Sequence, residues 1–193
     1  MPQRIIDTHV HTDNSPDGHH SAMYMCECAE MAGLRAIAFT DHVEADAYRR
    51  DHYDRVALQS FIDVTKARWA KFDTLAHMTY PLRYIVGEHG IPVDMSKFSD
   101  KVDEILSLLV KNEKALEINT SGLRQKLGKT MPEEDVVRRF KQLGGEFVTV
   151  GSDAHYAKDI GAGVNVGMEI AQRSGFDCVT LFQNRMPVQI PIE

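Results

Sequence analysis

The chain has 193 residues, 43% of them apolar and 26% charged, a balance that supports one globular domain with a substantial core. A formal net charge of -6 and a pI near 5.8 weigh against a broad basic surface for nucleic acid or anionic lipid, because phosphates are bound chiefly through Lys and Arg. The three cysteines, Cys26, Cys28 and Cys178, do not resemble a secreted disulfide framework, and no apolar run approaches the roughly 20 residues that cross a bilayer, so the expectation is a single domain over residues 1–193 in a reducing cytoplasm, with no membrane partner.

Residues 4–10 read as a strand that ends in DTHVHTDNSPDG. His9 and His11 lie two apart, so a strand points both imidazoles to one side, where they can grip one ion or simply hydrogen-bond. The following Pro-Asp-Gly reads as a turn. SAMYMCECAEMAGL has helical spacing, with Gly33 placed as its stop. Residues 35–40 form the next strand and end in TDH, which suits a site or an ordinary helix entry. Residues 74–78 carry His77, and residues 116–120 run into EINTS. MPEEDVVRRFKQLGG reads as a helix, with Pro132 in its first turn, Glu133, Glu134 and Asp135 at the positive end of its dipole, and Gly144 at its exit. Residues 147–151 lead into GSDAH, which releases Asp153 and His155, and residues 178–182 supply a last strand. Strands alternating with helices imply a parallel sheet or a β/α barrel.

In such folds function gathers at the carboxyl ends of the strands. Four of these ends carry His9, His11, His42, His77 and His155, five of the nine histidines. Imidazole and carboxylate together suit zinc, manganese or iron, and the absence of cysteine from these positions weakens the case for a structural zinc. Arg83 in YPLRY and Arg124 in TSGLR lie just past strand ends, where a guanidinium can hold a phosphate by paired hydrogen bonds or form a surface ion pair. Asp7, beside the first histidines, is placed to orient a ligand imidazole.

The motifs DTHVHTDNSPDG, AIAFTDHVE, DTLAHMTYPLRY, EINTSGLR and VGSDAH, in this order, resemble the polymerase and histidinol phosphatase (PHP) superfamily, and within it the monofunctional histidinol-phosphatases. The resemblance runs from residue 5 to about residue 181. It implies a distorted, TIM-like β/α barrel with up to three divalent ions (Zn, Mn or Fe). The implied reaction is hydrolysis of L-histidinol phosphate to L-histidinol and phosphate, in histidine biosynthesis. It also implies that His9, His11 and Asp153 hold one ion, that Asp17, His42 and His155 hold another, and that His77 serves the remaining one. Asp153 and His155 are then the expected catalytic residues, and Arg124 and Arg83 the expected substrate contacts where they do not form surface ion pairs.

One departure stands out. The family places a bridging glutamate and a further histidine between the TDH and LAH motifs, whereas SFIDVTKARWAKFDTLAHM passes from a helix directly into the His77 strand. The expectation is therefore a barrel shortened by two strands, with the junction near residues 69–72, fewer than three ions and a weakly held metal at His77. Exposed strand edges would then favour a homo-oligomer. The alternatives are another phosphoesterase or nuclease of the superfamily, or a shortened, non-catalytic metal-binding module. The resemblance makes a small phosphorylated substrate the expected partner, and the acidic balance makes nucleic acid an unexpected one.

Overall fold

The computed structural model describes residues 6–41 and 72–192. Strand β1 (Ile6–Val10) pairs in parallel with β2 (Ala36–Phe39), and β4 (Ala115–Asn119) lies between β3 (Thr74–Leu75) and β5 (Val148–Gly151), again all parallel. These two groups meet at β1 and β5. The Asp153 N–H donates to the His9 carbonyl at 2.8 Å, and the His11 N–H donates to the Ala154 carbonyl at 2.9 Å. The resulting order is β2-β1-β5-β4-β3, with the strand ends that carry the motifs all on one rim. Among the described residues the outer edges of β2 and β3 have no strand partner.

Helix α1 (Ala22–Met31) follows β1 as expected. The Ser21 hydroxyl accepts from the Tyr24 N–H at its start. Gly33, at φ +73, turns the chain out of it, a conformation that costs glycine little. Helix α2 (Ser99–Lys111) precedes β4, α3 (Glu134–Gln142) precedes β5, and α4 (Val164–Arg173) follows β5. Their apolar faces supply Leu106, Leu109, Val137, Phe140 and Met168 to a core shared with Leu116, Ile118, Val148 and Val150 of the sheet. A smaller cluster joins Met25 and Ala29 of α1 to Val10, Ala154 and Ile160. Helices α2 and α4 were not anticipated from the sequence.

Two expected elements differ in extent. The strand expected at residues 74–78 is only two residues long, because His77 takes a left-handed backbone (φ +34) that ends extended structure. Helix α3 begins at Glu134 rather than at Pro132, so the proline stands before the helix and not in its first turn. The last strand, β6 (Cys178–Gln183), continues into an antiparallel β7 (Met186–Pro191) that was not anticipated. Asn184 and Arg185 both have positive φ, the backbone that a two-residue hairpin turn requires. Among the described residues no helix is long and apolar enough to cross a membrane.

Candidate metal centre

The alternation of β1 sends Asp7, His9 and His11 to the same side, and all three are buried. The Nε2 atoms of His9 and His11 lie 3.0 Å apart. Asp153 Oδ1 closes the triangle, 3.5 Å from His9 Nε2 and 3.3 Å from His11 Nε2. Donors around a tetrahedral zinc, bound at about 2.0–2.2 Å, stand roughly 3.3–3.5 Å from one another. The three atoms thus fit one face of a divalent ion's coordination shell. The sequence-derived set His9, His11 and Asp153 is brought together, although Asp153 reaches it through a left-handed residue (φ +55) and not by continuing the strand.

The other atoms of these ligands are held. His9 Nδ1 lies 2.6 Å from Oε1 of Glu117, a fully buried carboxylate on β4. Asp153 Oδ2 accepts from Ser121 Oγ at 3.2 Å and from Asn119 Nδ2 at 3.4 Å, while His11 Nδ1 lies 3.3 Å from Ser15 Oγ. Burial alone would lower the His9 pKa, but the charge of Glu117, its hydrogen bond and Asp153 outweigh burial and push it up to about 9. Asp153 is held well below the usual carboxylate range, since His11, His9, His77 and His155 together outweigh its burial. An electronegative pocket that stabilises added positive charge is the electrostatic counterpart of a cation site.

A second group comprises His11, Asp17 and His155. His155 Nε2 lies 3.1 Å from Asp17 Oδ2, and the His155 ring stacks on that of His11 with centroids 4.1 Å apart. The grouping differs from the expected Asp17, His42 and His155, because His42 lies outside the described residues and His11 stands in the third position. One imidazole nitrogen ligates one ion, so His11 cannot complete both groups through Nε2 at once. His77 joins neither triad. Its ring centroid is 5.6 Å from that of His9 and 5.1 Å from that of Tyr80. Burial lowers its pKa, with the Glu117 charge opposing and His9 reinforcing the shift, which favours the neutral, ligating form.

Two supporting residues, Asp7 and Arg124, are engaged otherwise than the sequence suggested. The bonds of Asp7 among the described residues run to the backbone and not to an imidazole ring. Its carboxylate accepts from the backbone N–H groups of His9, Ser152 and Gly161, and so ties β1 to the turn that carries Asp153. Burial raises its pKa more than these bonds lower it. Arg124 donates to the Ser152 and Asp153 carbonyls at 2.6 and 2.8 Å and lies 3.7 Å from Asp159. The guanidinium expected to grip phosphate is thus committed to the same turn. Arg83 instead stands over the rings of Tyr80 and Tyr84, at 5.5 and 5.7 Å from their centroids.

Sequence reasoning missed Glu117 and Asp41. Glu117 was visible as a charge inside the apolar strand ALEIN, with Asn119 two residues on and therefore on the same face. Asp41, at the end of β2, accepts from Thr12 N and Oγ1 and from Ser15 Oγ, pinning the loop after His11. Burial opposes these bonds, yet they leave its pKa lowered.

A family profile described as the PHP domain matches residues 7–67. A probable histidinol-phosphatase of Thermotoga maritima is 37% identical over 139 residues, 72% of this chain and 54% of that protein. A histidinol-phosphatase of Lactococcus lactis is 30% identical over 137 residues, 69% of this chain and 48% of that protein. The chain spans about half the length of the curated relatives it matches. The crystal structure of a histidinol phosphate phosphatase from Lactococcus lactis, complexed with zinc, L-histidinol and phosphate, superposes with a TM-score of 0.76 at 18% identity. The superposition covers 95% of this chain and 99% of that one, which shows a shared mixed α/β fold.

Proposed function

We propose, taking the chain as a member of the PHP superfamily, that it is a metal-dependent phosphatase that hydrolyses L-histidinol phosphate to L-histidinol and phosphate. The observation that carries this reading is the triangle of His9 Nε2, His11 Nε2 and Asp153 Oδ1, whose edges of 3.0–3.5 Å suit one divalent ion. Asp17 and His155, with His42, would hold a second ion, and His77 would serve a third. Zinc, manganese and iron all suit this donor set. Bound divalent ions supply Lewis acidity toward the phosphoryl oxygens and lower the pKa of a water ligand.

The residues themselves do the rest. Asp153 offers Oδ1 to the centre while Ser121 and Asn119 hold Oδ2, which fixes the carboxylate's orientation. His155, beside it, turns Nε2 toward Asp17 and Nδ1 toward the Asp153 carbonyl, so its part would be to hold the second ion next to the first. Arg83 is free to turn its N–H edges to the phosphate while the tyrosine rings support its flat face. Arg124 positions the turn beneath Asp153 and would reach phosphate only by giving up its carbonyl partners.

The five parallel strands are read as part of a distorted β/α barrel; the expected shortening falls within residues 42–71, which lie outside the described residues. Two observations support this: the bridging glutamate motif is missing between TDH and LAH, and the chain spans about half of its relatives' length. The same observations favour one second reading, a metal-binding module without turnover. The deciding experiment measures bound metal on the full chain loaded with Zn2+ or Mn2+. It then follows phosphate release from L-histidinol phosphate, from a panel of other phosphomonoesters and from a short oligonucleotide. Preferential release from L-histidinol phosphate is the expected result. Bound metal with no release from any substrate would establish the module reading, and no bound metal would overturn both.

A further inference from the structure

We infer that Glu117 is a positioning residue whose single buried carboxylate fixes both the tautomer of His9 and the backbone that carries His77, and so joins two ion positions of the centre. The inference rests on the metal-centre reading above. Glu117 reaches out from the middle of β4 with 2% exposure. Its Oε1 lies 2.6 Å from His9 Nδ1, while its Oε2 accepts from the His77 backbone N–H at 2.9 Å and from Asn119 Nδ2 at 3.2 Å.

An ionised carboxylate only accepts, so His9 must place a proton on Nδ1. That choice leaves the Nε2 lone pair facing His11 and Asp153, the direction an ion requires. The other oxygen does a separate task. His77 has φ +34, a backbone that non-glycine residues keep only when their surroundings hold it, and the bond to Oε2 is such a hold. The space for this carboxylate is cleared by Gly151, where an added Cβ would overlap both His9 Cβ and Glu117 Oε1.

The arrangement needs two acceptors, and an amide has one. In Glu117→Gln the amide oxygen can face His9 Nδ1, in which case its NH2 confronts the donor N–H groups of His77 and Asn119. Alternatively the oxygen faces His77, and the NH2 forces His9 Nδ1 to accept. The His9 proton then moves to Nε2 and blocks the ligating nitrogen. Either orientation breaks one arm in a variant of nearly unchanged volume.

The test compares Zn2+ affinity of the wild-type and Glu117→Gln full chains by chelator competition, together with the ring-nitrogen NMR signals of His9 in the Zn2+-loaded wild type. The expected results are a loss of affinity of about ten- to a hundredfold and a wild-type His9 that carries its proton on Nδ1. In a His9→Ala background, Glu117→Gln should cost markedly less, since part of its effect acts through that imidazole. Equal affinity of Glu117→Gln and wild type, an equal loss in both backgrounds, or a wild-type His9 protonated on Nε2 would each overturn the inference. If Glu117→Gln does not fold, the wild-type tautomer decides. Failure of the wild type to bind Zn2+ at all would instead count against the metal-centre reading.

Discussion

The two candidate ion groups share His11 but differ in everything around it. His9, His11 and Asp153 are buried at 6%, 1% and 6% exposure, and the atoms they turn away from the ion are held by Glu117, Ser15, Asn119 and Ser121. Asp17 has a side chain 58% exposed, on the loop after β1, and it meets His155 at 3.1 Å where both side chains remain partly open to solvent. The first group is preorganised by β1, β4 and β5. The second is assembled when a loop is in place. Ordering costs already met by the fold do not have to be met on binding, so an ion at the first group should bind more tightly and exchange more slowly.

The largest effect should come from removing the carboxylate that closes the first triangle. Asp153→Ala deletes an ion ligand and leaves Ser121 and Asn119 only their second acceptors, Asn119 Oδ1 and Glu117 Oε2. The tight ion should be lost from elemental analysis, and turnover should fall by more than the roughly hundredfold typical of losing a supporting residue. Retention of the tight ion would show that the triangle is not its site.

Gly151→Ala tests the preorganisation itself. The new Cβ would overlap His9 Cβ and Glu117 Oε1, forcing β1 and β4 apart by a few tenths of an ångström or more. Overpacking of this kind costs about 1–3 kcal/mol, readable as a fall in Tm of roughly 2–4 °C per kcal/mol for a chain of this size. Affinity at the tight site should drop with it. A variant with normal Tm and normal affinity would mean that this close approach is not what shapes the first group.

The same contrast governs what could be read from sequence. His9 and His11 were legible as a pair because strand alternation is a local rule, and the two nitrogens do meet. The GSDAH turn was legible as a source of ligands, but not its left-handed step at Asp153, which depends on three long-range supports: the Asp7 carboxylate, the Arg124 guanidinium and the backbone of β1. Glu117 was overlooked because strand-end ligands draw the eye to histidine motifs, while a buried mid-strand charge is the stronger physical signal. In the fold, β1, β2, β4, β5 and β6 follow apolar runs bounded by turn residues. Helices α2 and α4 were legible but overlooked, since Val102, Ile105, Leu106 and Leu109 in one and Val164, Met168 and Ala171 in the other recur at helical spacing. Strand β7 is mostly exposed and is defined by its pairing with β6, which no local pattern announces.

Arg124→Ala lies between the extremes. It removes two charged donors from the Ser152 and Asp153 carbonyls but leaves the Asp7 bond to the Ser152 N–H in place. Hydrogen bonds from charged groups contribute about 1.5–3 kcal/mol when buried, and the quarter exposure of this side chain places the expected loss toward the lower end. Calorimetry should show that destabilisation with a modest loss of tight-site affinity. If Arg124→Ala instead raised KM for a phosphomonoester while leaving Tm and metal affinity unchanged, the guanidinium would be a phosphate ligand and not a brace for the turn.

The smallest effect is expected at Asp17, where the comparison is most exposed to failure. Asp17→Asn keeps the shape of the loop and removes one charge from a side chain more than half in water, so stability should change by less than about 0.5 kcal/mol. The group it serves should feel the loss, because an amide oxygen is a weaker partner for a divalent ion than a carboxylate, while a water molecule can take the vacated position. A titration with Mn2+ should therefore show one site with wild-type affinity and a second weakened by on the order of tenfold. The two sites should respond separately because the Asp17 carboxylate meets His155 on the exposed loop side, while the buried triangle is braced by Glu117, Ser121 and Asn119. Equal weakening of both sites would mean that the ions are coupled through His11, and that the buried triangle and the exposed loop act as one centre.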